Sequence, residues 1–106
     1  RMISFGVETG TDEGLRELKK GTNTAKIKEA LRLCRKHDII SVADYIIGHP
    51  FEKTIFDVDK SIDFLMGLDP DYAQISVLKL YPNTAIYDQA VAKGVVPPGR
   101  WQEFAL

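Results

Sequence analysis

The sequence has only one cysteine, two histidines and a formal net charge of −1 over 106 residues. A single cysteine excludes an internal disulfide framework and is typical of a reducing compartment, so we expect a cytoplasmic protein. The small net charge gives no electrostatic reason to expect binding to nucleic acid or to an anionic membrane. No apolar run approaches the ~20 residues of a membrane-spanning helix, and no stretch has the pattern of a signal peptide.

The composition is that of an ordinary globular domain, since 44% of the residues are hydrophobic and 27% are charged. The length allows one domain at most. Because residue 1 lies at or inside the first expected strand, we expect the chain to be a piece of a longer protein.

Strand and helix patterns alternate three times along the chain. Apolar and β-branched runs predict strands at residues 2–8, about 39–48 and about 72–80. Capping residues predict helices that start at Thr11, at Asn23 or Thr24, at Thr54 and at Thr84. Stop signals follow at Gly21, Asp69-Pro70 and Gly94. This alternation predicts an α/β fold of three consecutive βα units with a parallel sheet.

Three units are too few to close a barrel, because a full eight-fold barrel takes ~250 residues. The repeat therefore looks like half of a larger fold. We assign residues 1–94 to the βα units and residues 95–106 to a loop-like tail with Trp101 as its aromatic anchor. The stripes predicted to be buried are Ile27, Leu31 and Cys34 on the second helix and Ile55, Val58, Ile62, Leu65 and Met66 on the third.

The second strand predicts a ligand-facing end. It is strand-prone in the middle and is ended by a turn at Gly48 and Pro50. Since side chains alternate along a strand, Asp44, Ile46 and Gly48 share one face while Tyr45 points to the other. A carboxylate in such an apolar run is costly to bury without a partner. This face is therefore expected to look into a cavity with a polar ligand, or into solvent at a sheet edge.

The first strand repeats this design. Ser4, Gly6 and Glu8 share one face, so that small residues leave room for a ligand and the final acid supplies an acceptor for its hydroxyls. The alternative is that Gly6 relieves packing and Glu8 is a solvated strand end.

Three segments at these strand ends resemble the fourth, fifth and sixth strand signatures of the radical S-adenosylmethionine superfamily. They are Phe5-Gly6-Val7-Glu8-Thr9-Gly10, Tyr45-Ile46-Ile47-Gly48-His49-Pro50-Phe51-Glu52 and Leu80-Tyr81-Pro82-Asn83-Thr84. Their order and spacing match over residues 2–104, and the nearest branches are the coproporphyrinogen oxidase-like, cobalamin-associated and methylthiotransferase-like ones. The resemblance implies the C-terminal half of a partial, TIM-like (βα)6 barrel.

The resemblance also implies an activity for the parent protein. Such enzymes cleave S-adenosylmethionine reductively at a [4Fe–4S] cluster to give a 5′-deoxyadenosyl radical, and this chain would supply the nucleoside-binding side. The family's Cys-x3-Cys-x2-Cys loop and its Gly-Gly-Glu segment are absent from this sequence. The chain alone is therefore expected to bind neither cofactor, to be inactive, and to contain no catalytic or metal-ligating residue. Cys34 is expected to be a small core residue.

Matching positions suggest which residues hold the cofactor. By resemblance, Glu8 and Asp44 contact the ribose, and carboxylates are good acceptors for a vicinal diol. Lys20 stands where many relatives have a basic residue facing the methionine carboxylate. Its alternative role is that of a solvated lysine at a helix C-terminus. The adenine would lie against Ile46 and Gly48 and near the backbone of Leu80 and Tyr81.

Two residues of the Gly-x-Pro turn have their own expectations. Glu52 is expected to tie down its own turn. His49 replaces an apolar residue common in the family, and it is expected to be either a surface residue or a group that faces substrate or transfers a proton. His37, at a helix end, is expected to be structural.

Two interpretations other than a radical S-adenosylmethionine enzyme remain open. The chain could be a non-catalytic structural fragment that self-associates, or half of an ordinary phosphate-binding (βα)8 enzyme. The latter predicts a Gly-rich loop after a late strand, whereas the third strand is followed by Tyr81-Pro82-Asn83.

The expected partner is the missing N-terminal half of the chain's own domain. Without it, the first strand is an open edge and the inner strand faces are uncovered. We therefore expect a homo-oligomer, with Ile46 and Ile75 or their neighbours buried between copies, and two-fold symmetry.

Overall fold

The computed structural model describes residues 1–99. Its elements are, in order, β1 (Met2–Glu8), α1 (Asp12–Glu17), α2 (Thr24–Lys36), β2 (Ile40–Ile47), α3 (Ile55–Gly67), β3 (Tyr72–Val77) and α4 (Ala85–Ala92). The strands form one sheet in the order β1-β2-β3, and both neighbouring pairs are parallel. The predicted α/β fold of consecutive βα units with a parallel sheet is confirmed. Because the strands are parallel, their carboxyl ends meet at one edge of the sheet.

The core lies between the sheet and the helices α2 and α3, which both pack on the central strand β2. Tyr45 and Ala43 are buried on this face of β2, whereas Asp44 lies on the other face and is half-buried. The predicted alternation of β2 is therefore confirmed. Cys34 is buried as expected. The buried cluster consists of Val7, Leu15, Ile27, Leu31, Ala43, Tyr45, Leu65 and Leu68.

All four of these helices begin at a predicted cap. The side chains of Thr11, Asn23, Thr54 and Thr84 each accept a backbone N–H three residues further on. At Thr54 the capping box is complete, because the Asp57 carboxylate accepts the Thr54 N–H at 2.9 Å. Such contacts are local in sequence, so they can be predicted without any tertiary information.

The first helix is shorter than predicted, because it ends at Glu17 and not at Gly21. Lys19 takes a positive φ of 53°, which closes the helix early. Its N–H donates to the Arg16 carbonyl, and the N–H of Lys20 donates to the Leu15 carbonyl. This pair of bonds is a Schellman motif, with a lysine in the position where glycine is usual.

The third strand was predicted to reach residue 80 but ends at Val77. Its partner β2 ends at Ile47, so backbone groups beyond this point have no neighbouring strand. The last bond of the ladder runs from the Leu78 N–H to the Ile47 carbonyl, at 2.9 Å.

The prediction that Ile55 and Met66 are buried on α3 is wrong, since they are 67% and 68% exposed. The buried stripe of this helix runs through Ser61 and Leu65 to the cap residue Leu68. At 3.6 residues per turn, Ile55 and Met66 lie roughly a third of a turn away from that stripe.

Both outer strands are sheet edges, and β3 is exposed along its whole length. The register pairs Tyr45 with Ile75, so Ile75 lies on the helix-packed face while Ile46 lies on the opposite one. The two residues expected to meet between copies therefore belong to different faces. Within residues 1–99, no helix is long and apolar enough to cross a membrane. Trp101 lies outside the described residues.

Candidate functional site

The candidate site begins where β1 ends, at a break in its register. Gly6 pairs with Asp44, but Glu8 pairs with Tyr45, so β1 contains one extra residue at this point. Glu8 has a φ of 68°, and the Thr9 N–H donates across it to the Val7 carbonyl at 2.8 Å. A three-residue turn with a positive φ is rare and strained, and for a residue with a side chain it costs about 1–2 kcal/mol. Strain of this kind concentrates at functional sites.

Gly6 makes room for two charged side chains. A β-carbon at this position would lie 2.8 Å from Glu8 Oε1 and 2.8 Å from Lys20 Nζ. These two groups form an ion pair at 3.8 Å. Any side chain larger than hydrogen at Gly6 would therefore displace the pair, which explains the glycine in packing terms.

Asp44 lies beside this pair on the neighbouring strand. The register places it next to Gly6, and its Oδ2 accepts the Ser4 hydroxyl at 2.5 Å. A carboxylate has about four lone-pair positions, so the bond to Ser4 leaves capacity for further donors. The structure thus gathers Glu8, Lys20 and Asp44 around one glycine. Ser4, predicted only to leave room for a ligand, also joins the site through its bond to Asp44.

The apolar part of the predicted site is divided between two places. Ile46 lies on the same sheet face as Asp44, two residues further along β2. Gly48 and Leu80 line a separate cleft of about 300 Å³ beside α4, together with Pro50, Leu78, Ile86, Gln89, Ala90, Lys93 and Val95. Gly48 has a φ of 88°, a conformation that favours glycine.

Tyr81 does not line this cleft and is 49% exposed. Its carbonyl accepts the Thr84 hydroxyl at 2.6 Å. The Tyr81 carbonyl, one of the backbone groups predicted to contact adenine, therefore already accepts a hydrogen bond within its own turn.

The turn after β2 contains His49, whose burial differs from the expected surface position. His49 was expected to be a surface residue unless functional, but it is only 3% exposed and its ring stacks on Phe51 at 4.9 Å. Its Nε2 lies 3.1 Å from the Glu8 carbonyl oxygen. Glu52 holds the turn as predicted, because its Oε2 accepts the Gly48 N–H at 3.2 Å.

No protein-family model matches the chain. It is 28% identical, over 96% of its length, to an uncharacterized methyltransferase of Pyrococcus horikoshii. It is 29% identical, over 81% of its length, to a provisionally named methylthiotransferase of Methanocaldococcus jannaschii. It is 31% identical, over 87% of its length, to the anaerobic magnesium-protoporphyrin IX monomethyl ester cyclase of Synechocystis.

These homologues all carry enzyme names, and the similarity extends over about 100 residues. The chain spans only about a fifth of their length, with 22%, 19% and 18% of each protein covered. Their names describe three different reactions, so they indicate no single reaction for this chain.

Proposed function

We propose that this chain is the part of a radical S-adenosylmethionine enzyme that binds the nucleoside of S-adenosylmethionine. The observation that carries the proposal is the cluster of Glu8, Lys20 and Asp44 around Gly6, at the carboxyl ends of two parallel strands. Ligands of open α/β sheets bind outside these ends. The homologues' names support an enzyme, and one of them is named as a methylthiotransferase.

The charged side chains of this cluster suit S-adenosylmethionine. The carboxylates of Glu8 and Asp44 accept hydrogen bonds from the ribose hydroxyls, and the ammonium of Lys20 attracts the methionine carboxylate. Ile46, on the same sheet face as Asp44, offers apolar surface to the adenine, whereas Gly48 and Leu80 line the separate cleft beside α4. When bound to a reduced [4Fe–4S] cluster, S-adenosylmethionine supplies the 5′-deoxyadenosyl radical that such enzymes use.

The donor set does not suit the cluster itself. Cys34 is the only cysteine of the sequence and is a buried residue of α2. In the part of the chain that the structure describes, no group of three His, Cys, Asp or Glu side chains is placed to hold a metal ion. The proposal therefore assigns cluster binding to another part of the parent protein, and this chain's residues bind and orient the nucleoside.

The test uses the intact parent enzyme with its cluster assembled. We expect Asp44→Ala and Glu8→Ala each to weaken S-adenosylmethionine binding about ten- to a hundredfold, because each removes a hydrogen bond to a charged group. Isothermal titration calorimetry under anaerobic conditions measures the dissociation constants. Asp63→Ala is the matched control, since Asp63 is an exposed acid on the far side of α3.

The pattern across the three variants decides the proposal. Weaker binding in Asp44→Ala and Glu8→Ala, with normal binding in Asp63→Ala and unchanged circular dichroism, supports the ribose assignment. Unchanged affinity in both site variants would show that the nucleoside does not bind at this cluster.

A further inference from the structure

We infer that His49 is a positioning residue that fixes the backbone of Glu8 and thereby aims its carboxylate at the ligand. This inference rests on the proposed function, because it deepens the role of the same site. Neither the resemblance nor the homologues assign a role to a histidine at this position. Three features support this role: the strained turn at Glu8, its contact with His49, and the rigidity of the turn that carries the histidine.

Glu8 is held in a conformation that it would not adopt by itself. Its φ of 68° lies in the left-handed region, where a β-carbon crowds the backbone. The same turn places Glu8 Oε1 over Gly6 and beside Lys20 Nζ. If Glu8 relaxed to an extended φ, the register break would change and the carboxylate would leave this position. Something outside β1 must therefore stabilise the turn.

His49 supplies that contact. A carbonyl oxygen can only accept, so the Nε2 atom, 3.1 Å from the Glu8 oxygen, must carry the proton and donate. Nδ1 forms no hydrogen bond with any group of residues 1–99. Among residues 1–99 the ring therefore makes its one hydrogen bond through Nε2, and that bond goes to the strained residue.

The histidine is itself held rigidly. Its side chain is 3% exposed and stacks on Phe51 with an interplanar angle of 11°. Its carbonyl accepts the Glu52 N–H at 2.9 Å, and Glu52 in turn accepts the Gly48 N–H. A donor on a fixed turn can hold a strained partner, whereas a donor on a mobile surface loop could not. The bond thus ties the carboxyl end of β1 to the loop after β2, across 41 residues of sequence.

The experiment measures S-adenosylmethionine affinity in the cluster-loaded parent enzyme. His49→Phe keeps an aromatic ring against Phe51 but loses the donor, and we expect the dissociation constant to rise about tenfold. His49→Gln places an amide N–H at a similar reach, and we expect the affinity to stay within about threefold of wild type. His37→Gln is the matched control, because His37 is exposed at the end of α2.

A double-mutant cycle separates positioning from a general structural effect. If His49 acts through Glu8, adding His49→Phe to Glu8→Ala should weaken binding no further than Glu8→Ala alone. Additive losses, or wild-type affinity in His49→Phe, would overturn the inference. If His49→Phe does not fold, His49→Asn replaces it, because the shorter amide cannot reach the Glu8 carbonyl. Equal affinity in His49→Asn and His49→Gln would then overturn the inference.

The outcome is distinguishable from failure of the proposed function. Weak binding in Asp44→Ala with wild-type binding in His49→Phe overturns the role of His49 and leaves the nucleoside site standing. Wild-type binding in Asp44→Ala, Glu8→Ala and His49→Phe together overturns both.

Discussion

Tyr45 combines a buried ring with a hydroxyl that has no fixed partner. Its ring lies in the core, and its oxygen forms no hydrogen bond of standard geometry within residues 1–99. Burial raises the pKa of the Tyr45 hydroxyl, and the charge of Glu52 raises it further, while the nearby hydroxyls of Ser61 and Thr9 oppose the shift. A buried polar atom without a partner carries a desolvation cost, so this tyrosine is a place where the fold is not optimal.

We therefore predict that Tyr45→Phe leaves the free energy of unfolding unchanged or raises it by up to ~1 kcal/mol. The pH dependence of stability near the ordinary tyrosine pKa of about 10 supplies a second readout. Because the native hydroxyl keeps its proton to a higher pH than the unfolded one, wild-type stability falls as the pH rises above about 10. That fall should be smaller in the variant.

Urea denaturation of the parent protein, at neutral pH and again near pH 10.5, measures both effects. Tyr72→Phe is the control, because Tyr72 is exposed at the start of β3. A loss of well over 1 kcal/mol in Tyr45→Phe would mean that the hydroxyl is hydrogen-bonded in solution.

At the scale of the elements, one carboxylate ties the start of β3 to the start of β2. Asp71 Oδ2 accepts the Ser41 N–H at 2.8 Å and the Ser41 hydroxyl at 3.1 Å. The Asp71 N–H donates back to the Ser41 hydroxyl at 3.2 Å. The backbone bond from Ser41 is the main reason that the pKa of Asp71 lies below its ordinary value of 3.8. This clamp helps to fix the register of β2 against β3. The backbone ladder also joins the two strands, and β3 is exposed along its length.

We predict that Asp71 makes the fold acid-sensitive. A carboxyl whose native pKa is lowered stabilises the fold fully above the unfolded pKa, and this contribution is lost as the pH falls through the native one. Stability should therefore decline below about pH 4 in the wild type. Asp71→Asn cannot titrate, so its stability should change less over the same range.

Thermal unfolding between pH 6 and pH 3 provides the measurement, with Asp59→Asn as the exposed control on α3. An identical acid dependence in Asp71→Asn and in the wild type would show that the clamp does not form in solution. The absolute stability at pH 6 does not enter this comparison, because only the slope with pH reports the titration.

At the scale of the whole molecule, the described chain leaves much of its sheet uncovered. The Cα radius of gyration is 15.5 Å, whereas a compact chain of 100 residues has about 13 Å. Both β1 and β3 are edges, and β3 exposes apolar side chains on each face. Exposed strand edges of this kind pair readily with another strand, and exposed apolar patches bind readily to another surface. In the proposed parent, the remaining part of the domain would cover them.

We therefore predict that the isolated 106-residue chain self-associates. Sedimentation velocity at micromolar concentration should show a dimer or a larger species, and two-fold symmetry is expected because it closes the interface. First strands related by a two-fold axis meet antiparallel, so such a dimer would not rebuild a parallel barrel.

Two substitutions identify the surface that is used. Ile46→Lys disrupts association through the open face, and Ile75→Lys disrupts association through the helix-side surface of β3, because the two residues lie on opposite faces. Sedimentation as a monomer at every concentration, without binding of a hydrophobic dye, would contradict the prediction.

A further prediction at this scale concerns iron. The isolated chain should hold no stoichiometric iron–sulfur cluster, since such clusters are held by several cysteine thiolates and the sequence has one cysteine. Anaerobic reconstitution followed by iron analysis and visible absorption is the measurement, and the parent enzyme is the positive control. One cluster per monomer in the isolated chain would be inconsistent with the proposed division of the site.

Local sequence was enough for the elements and for part of the site. The caps at Thr11 and Thr54 depend on contacts three residues apart, and the position of Tyr45 opposite Asp44 depends on the two-residue period of a strand. The placement of Asp44 on the open face follows from the same period. These features were predicted because each is decided within a few residues of the chain.

Other features depended on the tertiary structure, because they join segments far apart in sequence. Strand periodicity alone could not show that β1 gains a residue opposite Asp44, or that Glu8 takes a positive φ there. Nor could it show that His49 is buried, since a histidine in a turn is exposed unless a neighbouring loop covers it. Those outcomes were decided by the register of β1 against β2 and by the packing of two loops at the carboxyl edge of the sheet. Sequence by itself thus determined which elements form and which faces β2 presents, whereas packing determined which face of α3 is buried and how Glu8, Lys20 and Asp44 come together.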